Sequence, residues 1–269
     1  MKTIRQLVTI LVILACAIPA AASRLETVKV ESESMHKQID VSVVLPDSYG
    51  ARPLPVVYLL HGYGDNNLLG YLSYTNVRQY ADMFDVVLVI PDGGTNWYFD
   101  SPVDPTIRYE TFVSSELVKY IDKNYLTDAR RERRAVTGLS MGGHGALYLA
   151  IRHQDVFGAA GSMSGGVDFR PFPEKWDIKL RLGDQKTHKE NWDKNTVMAQ
   201  LPLLKDGALQ LIIDCGTEDF FDVNVKLHEA LTKQGIHHEF TSRPGKHSWV
   251  YWRRSLRDHM YFFSDYFRN

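Results

Sequence analysis

The chain is poor in cysteine, nearly neutral and without a membrane-length apolar run, and each shortage removes a class of explanations. Its two cysteines in 269 residues are Cys16 and Cys215. Cys16 falls within an N-terminal processing signal, so the mature chain is expected to keep Cys215 alone and to form no internal disulfide. Cys215 closes the apolar run of residues 209–213 and reads as a small buried hydrophobe. The formal net charge is −1, from Lys+Arg 31 against Asp+Glu 32, which points to no nucleic-acid or anionic-membrane partner. Two basic clusters, residues 130–134 and 253–257, abut apolar elements, carry polar or acidic breaks and read as solvated faces. No two histidines have metal-site spacing with carboxylate company, so no metal and no cofactor is expected.

At the N-terminus, Lys2 and Arg5 precede an apolar run over residues 7–18, followed by Pro19 and three alanines. This is the pattern of an export signal, residues 1–22, with cleavage after Ala22. The run is short of the roughly 20 apolar residues a spanning helix needs, so no stable membrane insertion is expected. The mature protein, residues 23–269, reads as one exported domain, periplasmic or secreted; lipid attachment at Cys16 is the competing reading.

Beyond residue 23 the hydrophobic pattern changes along the chain. Two alternating segments, 26–33 and 38–45, predict an antiparallel edge hairpin. Continuous apolar runs at 54–60, 86–90, 134–139, 158–163 and 209–215 predict strands buried on both faces, with a further strand at 238–242. Helices are expected over 67–83, 109–125, 141–153 and 222–233, and from Trp249 to near the C-terminus. Residues 167–206 read as an excursion above the sheet. Alternating strands and helices give an α/β fold, a doubly wound, mainly parallel sheet with helices on both faces.

The stretch around Ser140 matches the nucleophile elbow Gly-x-Ser-x-Gly, with Gly138 and Gly142 allowing a tight strand-to-helix turn. Its partners are sought at the carboxyl ends of the other strands. His247 follows the last strand and is the expected general base. His144, near Ser140 in sequence, would point along its helix. His36, His188, His237 and His238 read as exposed, and His153, His228 and His259 lie on helices. For the acid, Asp219 is preferred, with Asp214, Glu218 and Asp222 as alternatives; Asp222 also suits a helix N-cap. The chain order Ser, acid, His is that of an α/β-hydrolase. The backbone N–H groups of Met141 and Tyr63 are the expected oxyanion hole. Trp97, Tyr98, Phe220, Phe221 and Trp249 lie in or beside these loops; Trp97, Phe220 and Trp249 are the expected substrate contacts, with core packing as the alternative.

Residues 59–64, Trp97-Tyr98, residues 138–143, residues 214–221 and residues 244–249 together resemble the esterase D-like "putative esterase" family of α/β-hydrolases. That family includes S-formylglutathione hydrolases, tributyrin-type esterases, feruloyl and acetylxylan esterases, and mycolyltransferases. The resemblance implies Ser140 as nucleophile, Asp219 as acid, His247 as base, and Tyr63 and Met141 as oxyanion donors. Together with the export signal, it implies an exported serine carboxylesterase acting on small-molecule or polysaccharide-linked esters, feruloyl or acetyl esters on plant polysaccharides first. Short-chain acyl ester hydrolysis, acyl transfer and non-catalytic carbohydrate binding are the other readings. The export signal departs from the cytosolic S-formylglutathione hydrolases.

Overall fold

A computed structural model describes residues 23–64 and 69–268. The expected export signal, Cys16 included, lies outside the described residues. The strands are β1 (Arg24–Ser32), β2 (Lys37–Leu45), β3 (Val56–Leu60), β4 (Val87–Pro91), β5 (Arg134–Leu139), β6 (Ala159–Met163), β7 (Gln210–Glu218) and β8 (Glu239–Lys246). They form one sheet in the order β1-β2-β4-β3-β5-β6-β7-β8. β1 pairs with β2 and β2 with β4 antiparallel, and every other neighbouring pair is parallel. The α/β fold, doubly wound with an N-terminal antiparallel pair, is therefore as expected.

Continuous burial of β3, β4, β5 and β6 follows from their position between two helical layers. One face carries α1 (Leu69–Tyr74), α2 (Val77–Phe84) and α10 (Trp249–Arg268), packed through Tyr71, Tyr80, Leu256, Met260 and Phe263. The other carries α3 (Tyr109–Thr111), α4 (Val118–Asn124), α5 (Met141–Arg152) and α9 (Phe221–Lys233), packed through Phe112, Ile121, Leu147, Leu227 and Leu231. A π-helical turn over Phe112–Leu117 joins α3 to α4. The single helix expected over 67–83 is instead the pair α1 and α2, and Asn76 is the residue before α2.

Residues 164–206 rise above the carboxyl ends of β5 and β6 as short helices, α6 (Ile178–Leu182), α7 (Lys189–Lys194) and α8 (Val197–Gln200). Trp192 and Phe169 anchor this excursion in the core. Two strands outrun their expected lengths: β7 continues to Glu218 and β8 to Lys246, through Pro244. Pro244 is tolerated because β8 is an edge strand, where a missing N–H costs no ladder bond on the open side. Cys215 is buried, as expected, and burial pushes its thiol pKa up. Among the described residues no helix is long and apolar enough to cross a membrane.

Candidate active site

The elbow is built by close backbone approach. Ser140 has φ 55° and ψ −116°, a conformation costly for a residue with a Cβ and held only where the surroundings impose it. A Cβ on Gly142 would strike the carbonyl of Leu60, and one on Gly138 would strike the carbonyls of Gly142 and Leu60. Both glycines therefore let α5 start directly against the end of β3. The Ser140 N–H donates to the Met163 carbonyl (2.9 Å), and its own carbonyl accepts from Gly166 (3.2 Å) and His144 (3.1 Å). The serine is thus held from the end of β6 and from the first turn of its own helix.

His247, the first residue after β8, reaches this corner. Its Nε2 lies 2.9 Å from Ser140 Oγ. Its Nδ1 lies 2.7 Å from Asp219 Oδ1. The Asp219 side chain is 1% exposed and that of His247 35%, so the acid is withdrawn from solvent while the imidazole stays at the mouth. Oδ1 of Asp219 also accepts the Phe220 backbone N–H at 2.7 Å. With Nδ1–H donated to the carboxylate, Nε2 is left free to accept the serine proton.

The other acids stand elsewhere. Asp214 points to the opposite face of the sheet, where its Oδ2 meets His259 Nε2 at 2.9 Å and its Oδ1 accepts from Ser255 Oγ at 2.7 Å. Glu218 is exposed at the end of β7, 3.9 Å from Lys246. Asp222 is within the first turn of α9, whose N-cap position is Phe220, so the expected N-cap role for Asp222 does not hold. His144 is fully buried; its Nε2–H donates to the Asn195 carbonyl at 2.9 Å, and burial lowers its pKa to about 4. His238 is half-buried and bonded to His228 at 2.8 Å rather than exposed.

The two expected oxyanion donors lie on the elbow helix and on the loop after the neighbouring strand β3. Met141 opens α5, so its N–H has no carbonyl one turn back to bond. Tyr63 follows Gly62 in the loop beyond β3, and β3 pairs with β5 with Leu60 opposite Gly138. That loop is fixed by His61, which stands out at the strand end in the sequence but is given no role of its own there. Buried His61 donates Nδ1–H to the Gly62 carbonyl (2.8 Å) and accepts the Gly93 N–H at Nε2 (2.8 Å). Its own carbonyl accepts the Tyr98 hydroxyl at 3.2 Å. The Tyr63 hydroxyl in turn donates to Asp177 Oδ2 at 3.0 Å.

Aromatic rings surround the imidazole unevenly. Phe220 packs on His247 with centroids 4.9 Å apart, and Trp176 and Phe172 pack on Phe220. Trp176 and Phe172 belong to the excursion and were not singled out by strand-end reasoning. On the opposite flank Trp252 packs on His247 (4.7 Å), and half-buried Trp249 lies beyond it against Tyr71 and Tyr74. Trp97 departs from its expected role as a substrate wall. It is 3% exposed and enclosed by Phe99, His144, Phe169 and Trp176, because its chain turns inward at φ 56°. Among the described residues no cluster of His, Cys, Asp and Glu has the arrangement of a metal site.

Comparison with known proteins gives a family and, among other matches, two relatives and a solved structure. The model of the family described as "Putative esterase" matches residues 32–263. Esterase Rv1288 of Mycobacterium tuberculosis is 30% identical over 236 residues, covering 77% of this chain and 52% of that protein. The chain thus spans about half the length of that relative. The diacylglycerol acyltransferase/mycolyltransferase Ag85B of Mycobacterium leprae is 28% identical over 269 residues, covering 86% of this chain and 80% of the relative. A solved ferulic acid esterase superposes with a TM-score of 0.80 at 28% identity, covering 91% of this chain and 99% of its own.

Proposed function

Because this chain belongs to the "Putative esterase" family, we propose that it is a serine carboxylic ester hydrolase using Ser140, His247 and Asp219. The observation that carries this is one imidazole bridging Ser140 Oγ at 2.9 Å and Asp219 Oδ1 at 2.7 Å. In the proposed reaction His247 Nε2 takes the Ser140 proton as Oγ attacks the ester carbonyl carbon. The carbonyl oxygen gains charge between the N–H groups of Met141 and Tyr63, each donor being worth roughly 2.7 to 4 kcal/mol in the transition state. Collapse of the tetrahedral adduct expels the alcohol, which receives the proton from His247. Water, deprotonated by the same imidazole, then releases the acid and regenerates Ser140.

The substrates we propose are feruloyl or acetyl esters on plant polysaccharides, with the protein exported. The aromatic set Phe172, Trp176 and Phe220 beside His247 supports a flat acyl group, as does likeness to a ferulic acid esterase. The charged and apolar pattern of residues 1–22 supports export. Hydrolysis of p-nitrophenyl acetate by the purified protein, abolished in Ser140→Ala, is the expected result; equal rates in both would sink the assignment. Among methyl ferulate, acetylated xylan and tributyrin, ferulate or xylan acetate should be released fastest. Similarity to a mycolyltransferase favours acyl transfer as a second reading. It requires that an added alcohol divert the acyl group from free acid to a new ester.

A further inference from the structure

The contacts around Ser140 form a rim, and one link in it is unlike the rest. From Ser140 the rim passes to His247 (2.9 Å), then to Phe220 (4.9 Å between centroids) and Trp176 (5.6 Å). The next residue, Asp177, accepts the Tyr63 hydroxyl at 3.0 Å. Tyr63 lies in the loop three residues beyond Leu60, which pairs with Gly138 two residues before Ser140, so the circuit returns to the strand pair that carries the elbow. The ring contacts are apolar packing; the Tyr63 to Asp177 link is a lone hydrogen bond between residues 114 apart in sequence.

The corner that presents Asp177 is strained and fastened. Trp176 and Asp177 are consecutive residues at φ 54° and 53°, a region that Asp enters with several-fold enrichment and bulky side chains rarely. The Trp176 carbonyl is fixed from below by Trp97 Nε1–H at 3.0 Å. Trp97 itself is closed in the core. The corner is therefore rigid on its Trp97 side and held on its outer side by Tyr63.

The reaction geometry tells which part of a substrate lies under this link. At the tetrahedral carbon one substituent is Ser140 Oγ, the oxyanion faces the N–H groups of Tyr63 and Met141, and the leaving oxygen faces His247 Nε2. On that reading the remaining substituent, the acyl chain, would leave between Tyr63 and Phe220, beneath Trp176 and Asp177. We propose that Asp177 is a specificity-determining residue: by accepting the Tyr63 hydroxyl it closes the rim over the acyl side and disfavours long acyl chains, which must break this bond to enter. This rests on the ester-hydrolase reading with acetyl as the acyl group; a feruloyl group, far longer than acetyl, would have to break the same bond. An acetyl methyl is short enough not to open the rim, so the link acts as a penalty on long chains, read as the octanoate-to-acetate ratio within each variant.

The test compares kcat/KM for p-nitrophenyl octanoate and p-nitrophenyl acetate in wild type, Asp177→Gly, Tyr63→Phe and Asp177→Asn. Glycine suits the left-handed corner and removes the acceptor; asparagine suits it and keeps an acceptor oxygen. The octanoate-to-acetate ratio should rise about fivefold in Asp177→Gly and Tyr63→Phe, the effect of one ordinary hydrogen bond. It should stay within about twofold of wild type in Asp177→Asn. An unchanged ratio in Tyr63→Phe overturns the proposal, and so does a rise confined to Asp177→Gly, which would report a loosened loop. Should Asp177→Gly not fold, Tyr63→Phe and Asp177→Asn decide alone. Absence of acetate hydrolysis in wild type instead overturns the hydrolase reading, and the proposal with it.

Discussion

Ser140 is held at φ 55° by two glycines whose missing Cβ atoms are replaced in space by main-chain carbonyls. Carbonyls of a buried strand end cannot swing aside as a side chain can. Gly142→Ala should therefore cost on the order of 3 kcal/mol or more, read as a lowered denaturation midpoint. His144 makes a second prediction at this scale. Its pKa in the folded state is about 4 against 6.5 unperturbed, so between those values the unfolded chain binds a proton that the native protein refuses. Stability linked to His144 is complete above about pH 6.5 and is lost as pH falls towards 4, by about 3 kcal/mol. Denaturation of wild type and His144→Gln across that window should show their stability difference shifting in favour of the variant as pH falls. Ser140 and His247 were legible in the sequence because each sits at a strand end beside small residues that only a functional turn needs. The role of His61 was not, although the residue stood out at a strand end, since its partner is the main-chain N–H of Gly93, and a bond to backbone leaves no residue-type signature.

At the level of elements, the ends of β5, β7 and β8 are bound together from beneath as well as from above. On the α10 face, His259 bridges Asp214 of β7 (2.9 Å) and Thr137 of β5 (2.8 Å). Ser255 donates to Asp214 at 2.7 Å and accepts from Arg243 of β8 at 2.6 Å. His259 is fully buried and Asp214 nearly so. His259→Leu would leave the carboxylate without its imidazole partner and should destabilise by about 3–5 kcal/mol in chemical denaturation. An unchanged midpoint would mean that Ser255 alone suffices. The helical stripe of α10 was plain in its aromatic spacing, but His259 and Ser255 within it carried no sign of a common partner 45 and 41 residues away. The lengths of β7 and β8 escaped notice for another reason. Glycine and proline at 216, 244 and 245 read as loop, yet a Cβ on Gly216 would meet the Gly245 carbonyl, so these residues bring two strands close rather than end them.

For the molecule as a whole, one sheet separates two apolar layers, and the described residues contain a single cysteine, buried Cys215. The melting temperature should accordingly be the same with and without dithiothreitol; a fall under reduction would reveal a cross-link through Cys215. The α/β architecture was readable because the central runs are apolar without alternation, which only a covered parallel sheet accommodates. The excursion above it was not, because its short helices bury isolated anchors such as Trp192 and leave no sustained period. The separation of Ser140 and His247 by 107 residues also has a bearing on synthesis. The elbow leaves the ribosome first, then Asp219, then His247, and only afterwards the helix Trp249–Arg268 that packs under β5, β6 and β7. A nascent chain interrupted before His247 holds Ser140 without the imidazole at its Oγ, so the central contact of the site forms only after β8 has been made.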